Sequence, residues 1–170
     1  KKTELNLYTV SACEELDDTL INFISGKNKR IRNALKQIKS DMKQAGVAGS
    51  LLKVQDIDFK EIFAAIEKTQ DTNYTSLIDI SNQKVTEKKV LPFIKASQAL
   101  SGTYHIVITN PPYLSYSGMN KELHDYLKSQ FKDGSRDLCT AFIERCLDFA
   151  KPNGEIAMIT QQSFMYLSGF

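Results

Sequence analysis

The chain has 170 residues, of which 42% are hydrophobic and 25% charged, with a net charge of +2. That length can bury a real core as one domain or as part of a larger one, and the composition is ordinary for a soluble globular protein. No apolar run approaches the ~20 residues of a membrane span and no signal-peptide pattern opens the chain, so no membrane partner and a cytoplasmic location are expected.

The opening Lys1-Lys2-Thr3-Glu4 begins without Met and resembles neither an initiation site nor a cap, which reads as a piece cut from a longer protein. Residues 1–10, with Leu5, Leu7, Tyr8 and Val10, read as a short extended piece. Helical spacing follows over Ser11 to Ile24, with Leu16, Leu20, Ile21 and Ile24 on one face. A second helix is expected over Arg30 to Gln44, its stripe being Ile31, Leu35, Ile38 and Met42. Basic residues from Lys27 to Lys43 flank that stripe with Asp41 as the one acid, so they lie exposed. Such a block reads either as a phosphate-contacting surface or as a solvated helix face. Gly46 to Gly49 breaks the hairpin, and Asp58 to Lys68 is helical again through Phe59, Ile62, Phe63 and Ile66. Thr69 to Tyr74 is turn-like, while Ser76 to Ser81 is too short to assign. Glu87 to Leu100 reads as a helix ended by Gly102.

Tyr104-His105-Ile106-Val107-Ile108-Thr109 is β-branched and apolar, and it stops abruptly at Asn110-Pro111-Pro112-Tyr113. This predicts a buried strand, because proline lacks the N–H needed to continue a ladder and forces extended geometry on the residue before it. After a loop at 114–119, Asn120 caps a helix to about Phe131, and Asp133-Gly134 marks a turn. Asp137 to Ala150 is a strong helix, with Leu138, Phe142, Ile143, Cys146, Leu147 and Phe149 expected to pack inward. Pro152-Asn153-Gly154 reads as a tight turn, and Glu155 to Thr160 as a second buried strand. Strand 104–109, helix 137–150 and strand 155–160 make a β-α-β crossover, parallel and right-handed. The expected class is therefore α/β, with a mainly helical insert or capping region over 1–100 and the strand-bearing part over 101–170.

The chemistry points to the strand end. In open α/β sheets ligands bind at the carboxyl edge of the strands. The Asn110 side-chain oxygen and the Pro111 carbonyl are acceptors with no titratable group between them, which suits a substrate that donates hydrogen bonds, such as an exocyclic amine. Two acceptors on its two N–H groups would bias the nitrogen toward tetrahedral geometry and free its lone pair for an electrophilic methyl. Tyr113 would stack on a base turned out of its duplex. The bland alternative is a strand-terminating turn. Cys13, Cys139 and Cys146 show no metal-ligand spacing and read as reduced, partly buried thiols, and with only His105 and His124 no protein metal site is expected. Cys139 and Cys146, seven apart on one helical face, are poor candidates for a nucleophile, and His124 reads as a surface residue.

Asn110 to Tyr113 resembles the catalytic motif of amino-methyltransferases that use S-adenosylmethionine. Three further stretches narrow the likeness: Tyr116 to Leu123, Asp137 to Arg145 (with Cys139 where an aromatic often stands), and Lys151 to Gly154 with Ile159 to Met165. Gly49 to Lys53 and the helix after it are similar to an inserted segment of the same group. Together these resemble the large adenine-specific (N6) DNA methyltransferases of bacteriophage exclusion (BREX) and type IIG restriction-modification. The resemblance implies a partial Rossmann-like S-adenosylmethionine-dependent methyltransferase fold, of which 101–170 is the C-terminal half of the catalytic domain. It implies that Asn110 and Pro111 bind adenine N6, Pro112 fixes the turn, Tyr113 stacks the base and Phe164 walls the pocket. It also implies double-stranded DNA and defence-system proteins as partners, and S-adenosylmethionine as cofactor of the full-length parent.

The chain departs from that family in one respect. Gly26, Gly46 and Gly49 are separated and form no glycine-rich cofactor turn, so the cofactor-binding residues are expected upstream of Lys1, the target-recognition region beyond Phe170, and the fragment alone is expected to be inactive. Two rival readings remain. Glutamine and RNA-base amino-methyltransferases also present Asn-Pro-Pro-Tyr, and the helical first half with its basic face reads alternatively as a non-catalytic nucleic-acid or protein docking module.

Overall fold

A computed structural model describes residues 5–162 and Tyr166. The chain divides into two compact units, 1–101 and 102–170.

The first unit is helical among its described residues. Helix α1 spans Asp18–Ser25, and Asp17 caps it by accepting from the Leu20 N–H at 2.8 Å. The expected start at Ser11 is therefore seven residues early. Cys13 to Leu16 forms a turn, with Leu16 buried ahead of the cap, so an apolar residue in phase with the helix packs from outside it. Helix α2 is Lys29–Asp41, capped by Asn28 and continued as a 3-10 turn over Met42–Gln44. A single turn, α3 (Ala45–Ala48), ends at Gly49, whose φ of 53° needs glycine. The break thus falls at Gly49, whereas Gly46 lies within α3. Helix α4 runs Phe59–Asp71. Ile21, Ile24, Leu35, Ile38, Ile62 and Ile66 are buried where α1, α2 and α4 meet, each worth roughly 1.5–3 kcal/mol of burial.

The region left open at Ser76 to Ser81 belongs to one long helical run: α5 (Leu77–Val85), a π-helical turn (Thr86–Val90) and α6 (Leu91–Ser101). Pro92 explains the π turn. It has no N–H to give the carbonyl of Lys88 four residues back, and its ring would press on that carbonyl. The chain widens instead, and the Leu91 N–H bonds the carbonyl of Thr86 five residues back.

The second unit carries the sheet. Strand β1 (Tyr104–Thr109) pairs parallel with β2 (Ala150–Met158), and between them come α7 (Lys121–Gln130) and α8 (Leu138–Phe149). The cap expected at Asn120 holds, and Asp137, expected inside its helix, is instead the cap of α8. Asn120 accepts from the Leu123 N–H at 2.9 Å and Asp137 from the Cys139 N–H at 2.8 Å. Val107 pairs with Ile156 and Ile108 with Ala157.

Three expectations fail in this unit. The expected turn at Pro152-Asn153-Gly154 lies inside β2, as an irregularity in which Tyr104 pairs with Ala150 but Ile106 pairs with Glu155. Asn153 takes a φ of 64° to make it. The strands are also not buried: Val107, Ile156 and Met158 are half-buried, whereas Ile106 is 62% and Ile108 77% exposed. A run apolar on both faces is what a strand covered on both sides requires, but α8 packs on the pair from one side only. Leu147, expected inward, is exposed for a related reason, since Arg145 takes the inner position and its guanidinium lies 3.8 Å from the Phe149 ring centroid.

Candidate functional site

The end of β1 delivers Asn110, Pro111, Pro112 and Tyr113 into a loop held at several points. The Ile159 N–H bonds the Thr109 carbonyl at 3.2 Å, extending the parallel pairing one residue past the ladder. Tyr113 then closes the loop: its hydroxyl lies 3.1 Å from the Ile159 carbonyl and 3.3 Å from Asn110 Oδ1. One hydroxyl proton serves two acceptors, and the shorter contact is to Ile159. Because an amide oxygen has two lone pairs, Asn110 keeps acceptor capacity beside this contact.

Downstream, the Leu138 N–H bonds the Leu114 carbonyl and the Tyr116 N–H bonds the Arg136 carbonyl, both at 2.9 Å. Ser115 forms an antiparallel bridge with Asp137. The loop is thus stitched to the start of α8. Pro111 is buried, whereas Asn110, Pro112 and Tyr113 are exposed, Tyr113 to 44%.

A cavity of about 340 Å³ opens at this edge, lined by Ile108, Thr109, Asn110, Ala157, Met158 and Ile159. It stands at the carboxyl ends of both strands, where open α/β sheets place their ligands. Of the expected site residues, Asn110 lines the cavity, Tyr113 is bonded to two of its lining residues, and Pro111 and Pro112 form the turn between them. Phe164 lies outside the described residues. Ile159 is the member that sequence reasoning missed, because it acts through its backbone carbonyl and any side chain would serve. The expected parallel pairing, with the resemblance over Ile159 to Met165, brought it near without giving it this role.

The three cysteines are buried and unpaired with one another. Burial pushes each thiol above its ordinary value; at Cys139 the nearby Asp137 charge adds to this. That is the reverse of an activated nucleophile. Among the described residues no group of His, Cys, Asp and Glu is placed to hold a metal, and no helix is long and apolar enough to cross a membrane.

The basic run on α2 is partly committed within the chain. Lys36 Nζ lies 2.8 Å from Asp18, Arg30 lies 3.6 Å from Glu61, and Arg32 donates to the Gly26 carbonyl at 2.9 Å. These partners favour the reading of an internally balanced surface over a free phosphate-binding face.

Comparison with known proteins gives the family. Residues 5–170 match the family model described as Eco57I restriction-modification methylase. The chain is 32% identical over 126 residues to the adenine-specific methyltransferase BrxX of Escherichia coli O9:H4 (strain HS), covering 74% of this chain and 10% of that protein. It is 36% identical over 92 residues to the adenine-specific methyltransferase PglX of Lacticaseibacillus casei (strain Zhang), covering 54% of this chain and 8% of that protein. The chain thus spans about a tenth of the length of these relatives. A strand end bearing Asn-Pro-Pro-Tyr, a parallel β-α-β unit behind it and a family match across nearly every residue lead to one assignment: the chain belongs to the Eco57I restriction-modification methylase family.

Proposed function

We propose that this chain is the amine-holding part of an adenine-specific DNA methyltransferase acting in restriction-modification or phage defence. Asn110 Oδ1 and the Pro111 carbonyl accept the two N–H groups of adenine N6, Pro112 holds the turn, and Tyr113 stacks on the base after it leaves the duplex. An aromatic amine is a poor nucleophile because its lone pair is delocalised into the ring. Two fixed acceptors favour the geometry in which that lone pair stands out of the ring plane, by orientation and electrostatics and without a strong base. The observation that carries this reading is the Tyr113 hydroxyl held between Asn110 Oδ1 and the Ile159 carbonyl. It presets the amide and the ring relative to each other before any substrate arrives.

S-adenosylmethionine is the methyl donor such a reaction implies, and the described residues of the second unit around Asn110 do not fit it. The bare Cα positions of Gly118, Gly134 and Gly154 are not open cradles: an added Cβ would meet Leu114, Thr140 and Lys151 atoms at 2.6, 2.6 and 2.9 Å. The cavity at Asn110 is lined by no acidic side chain for a ribose. The reading therefore assigns this chain the amine and not the cofactor.

The test uses the complete protein that carries this chain, with N6-methyladenine in DNA scored by nucleoside mass spectrometry. Asn110→Ala is expected to lower methylation at least ~100-fold, the scale seen on removing one fixed polar group from a transition state. Absence of N6-methyladenine with the unsubstituted protein, together with methylated glutamine on a protein substrate, would overturn the DNA assignment.

A further inference from the structure

A second cavity of about 610 Å³ lies in the same unit, lined by Tyr116, His124, Lys128, Lys132, Ser135 and Arg136. Its lining holds three permanent cations and no carboxylate. The cations come from separate places: Lys128 from the last turn of α7, Lys132 from beyond its end, and Arg136 from the segment leading into α8. A basic residue at the end of α7 complements the helix dipole, which accounts for Lys128 alone. Arg136 is set beside it by its backbone, whose carbonyl accepts from the Tyr116 N–H at 2.9 Å. The Tyr116 ring stands edge-on to His124, with centroids 4.4 Å apart, and is 57% exposed. Three cations, a serine hydroxyl and an exposed aromatic wall around one concavity suit an anionic oxygen ligand attached to a flat or sugar-bearing group.

We infer that this cleft seats a backbone phosphate of the DNA strand whose adenine enters the Asn110 site, an inference that rests on the proposed function. The loop sets the spacing. Tyr116 is three residues from Tyr113, so their Cα atoms are at most about 11 Å apart, about three base-pair steps of helix rise. The bridge between Ser115 and Asp137 ties the two cavities to one rigid segment. A phosphate held there fixes the strand relative to Asn110 without reading sequence.

The experiment measures affinity of the complete protein for two duplexes, one with adenine in the target and one of guanine and cytosine only, across a range of salt. Lys128→Gln, Lys132→Gln and Arg136→Gln are each expected to flatten the slope of log affinity against log salt in part, and together by about 0.9, the effect of losing one phosphate contact. The loss is expected to be equal on both duplexes. Combined, they are expected to weaken binding roughly eightfold near ~0.1 M salt. Lys121→Gln, at the other end of α7, is the control expected to leave the slope unchanged. An unchanged slope in the combined variant, with folding confirmed by circular dichroism, overturns the inference. So does a flattening seen only with RNA as ligand. The Asn110→Ala variant separates the two readings, since it is expected to lose methylation while keeping the full salt slope. If no adenine is methylated at all but the slope still flattens, the proposed function fails and the phosphate cleft stands.

Discussion

Tyr113 reaches 46 residues along the chain to place its hydroxyl 3.1 Å from the carbonyl of Ile159. The two residues belong to the ends of neighbouring parallel strands, and this bond with the Thr109–Ile159 backbone bond makes the strand end one rigid corner. The ring that would stack on a base is thereby fixed by its own polar tip.

That arrangement separates the two roles of Tyr113. Tyr113→Phe keeps the ring and gives up hydrogen bonds worth about 1 kcal/mol net, so kcat/KM in the complete protein is expected to fall by no more than about tenfold. Tyr113→Ala also loses a stacking platform worth roughly 1–3 kcal/mol and is expected to cost distinctly more. Equal losses in the two variants, read from steady-state methylation, would show that the hydroxyl and not the ring carries the effect.

Gly154 occupies the irregularity in β2 where three backbone oxygens converge. A Cβ there would stand 2.9 Å from the Lys151 carbonyl oxygen, 3.1 Å from that of Tyr104 and 3.2 Å from that of His105. Gly154→Ala is expected to destabilise the sheet by about 1–3 kcal/mol through overpacking. By contrast Gly46, in α3 with nothing within 4 Å of an added Cβ, is a site where alanine is expected to stabilise by about 0.5–1 kcal/mol. Urea midpoints for the two variants give opposite signs if this holds.

The buried thiols make stability depend on alkaline pH. Folding raises the values of Cys13, Cys139 and Cys146 chiefly by burial, so the folded state holds those protons more tightly than the unfolded chain. Their contribution is fully present below the ordinary thiol value and is lost as pH rises through the raised one. Native protein at neutral pH is expected to react slowly with a disulfide reagent, and all three thiols rapidly in guanidinium. Fast stoichiometric labelling of Cys139 in the native state would contradict its burial.

Asp18 gives the opposite sign at the acid end. Its hydrogen bond and charge interaction with Lys36 hold its carboxyl below the ordinary value. The pair therefore supports folding above the ordinary carboxylate value, and the support disappears as pH falls through the lowered one. Asp18→Asn is expected to lower the urea midpoint slightly at pH 7 and not in strong acid. Because the pair is exposed, high salt is expected to erase the difference.

The elements legible in sequence were those whose cause is local. Asn120 caps α7 through a bond to the N–H three residues on, so its identity and place suffice. The strand end at Asn110 was legible because proline imposes it covalently. Apolar periodicity misjudged the start of α1, since Leu16 is buried in phase with the helix without belonging to it. The run from Leu77 to Ser101 was legible only from Glu87 on, because α5 buries none of its residues and so carries no apolar stripe to read.

By itself, then, the sequence determined the pieces of the site: two acceptors and a ring delivered by a proline-ended strand, and a β-α-β order that makes the second strand parallel. Only the tertiary structure decided that Ile159 anchors Tyr113, that Arg136 joins Lys128 and Lys132 around one cavity, and that Ile106 and Ile108 are not covered by the described residues of this chain. The physical reason is separation along the chain. Caps and prolines act within a few residues, whereas a carbonyl 46 residues away becomes a partner only when two strands align, and which faces are covered depends on what packs against them.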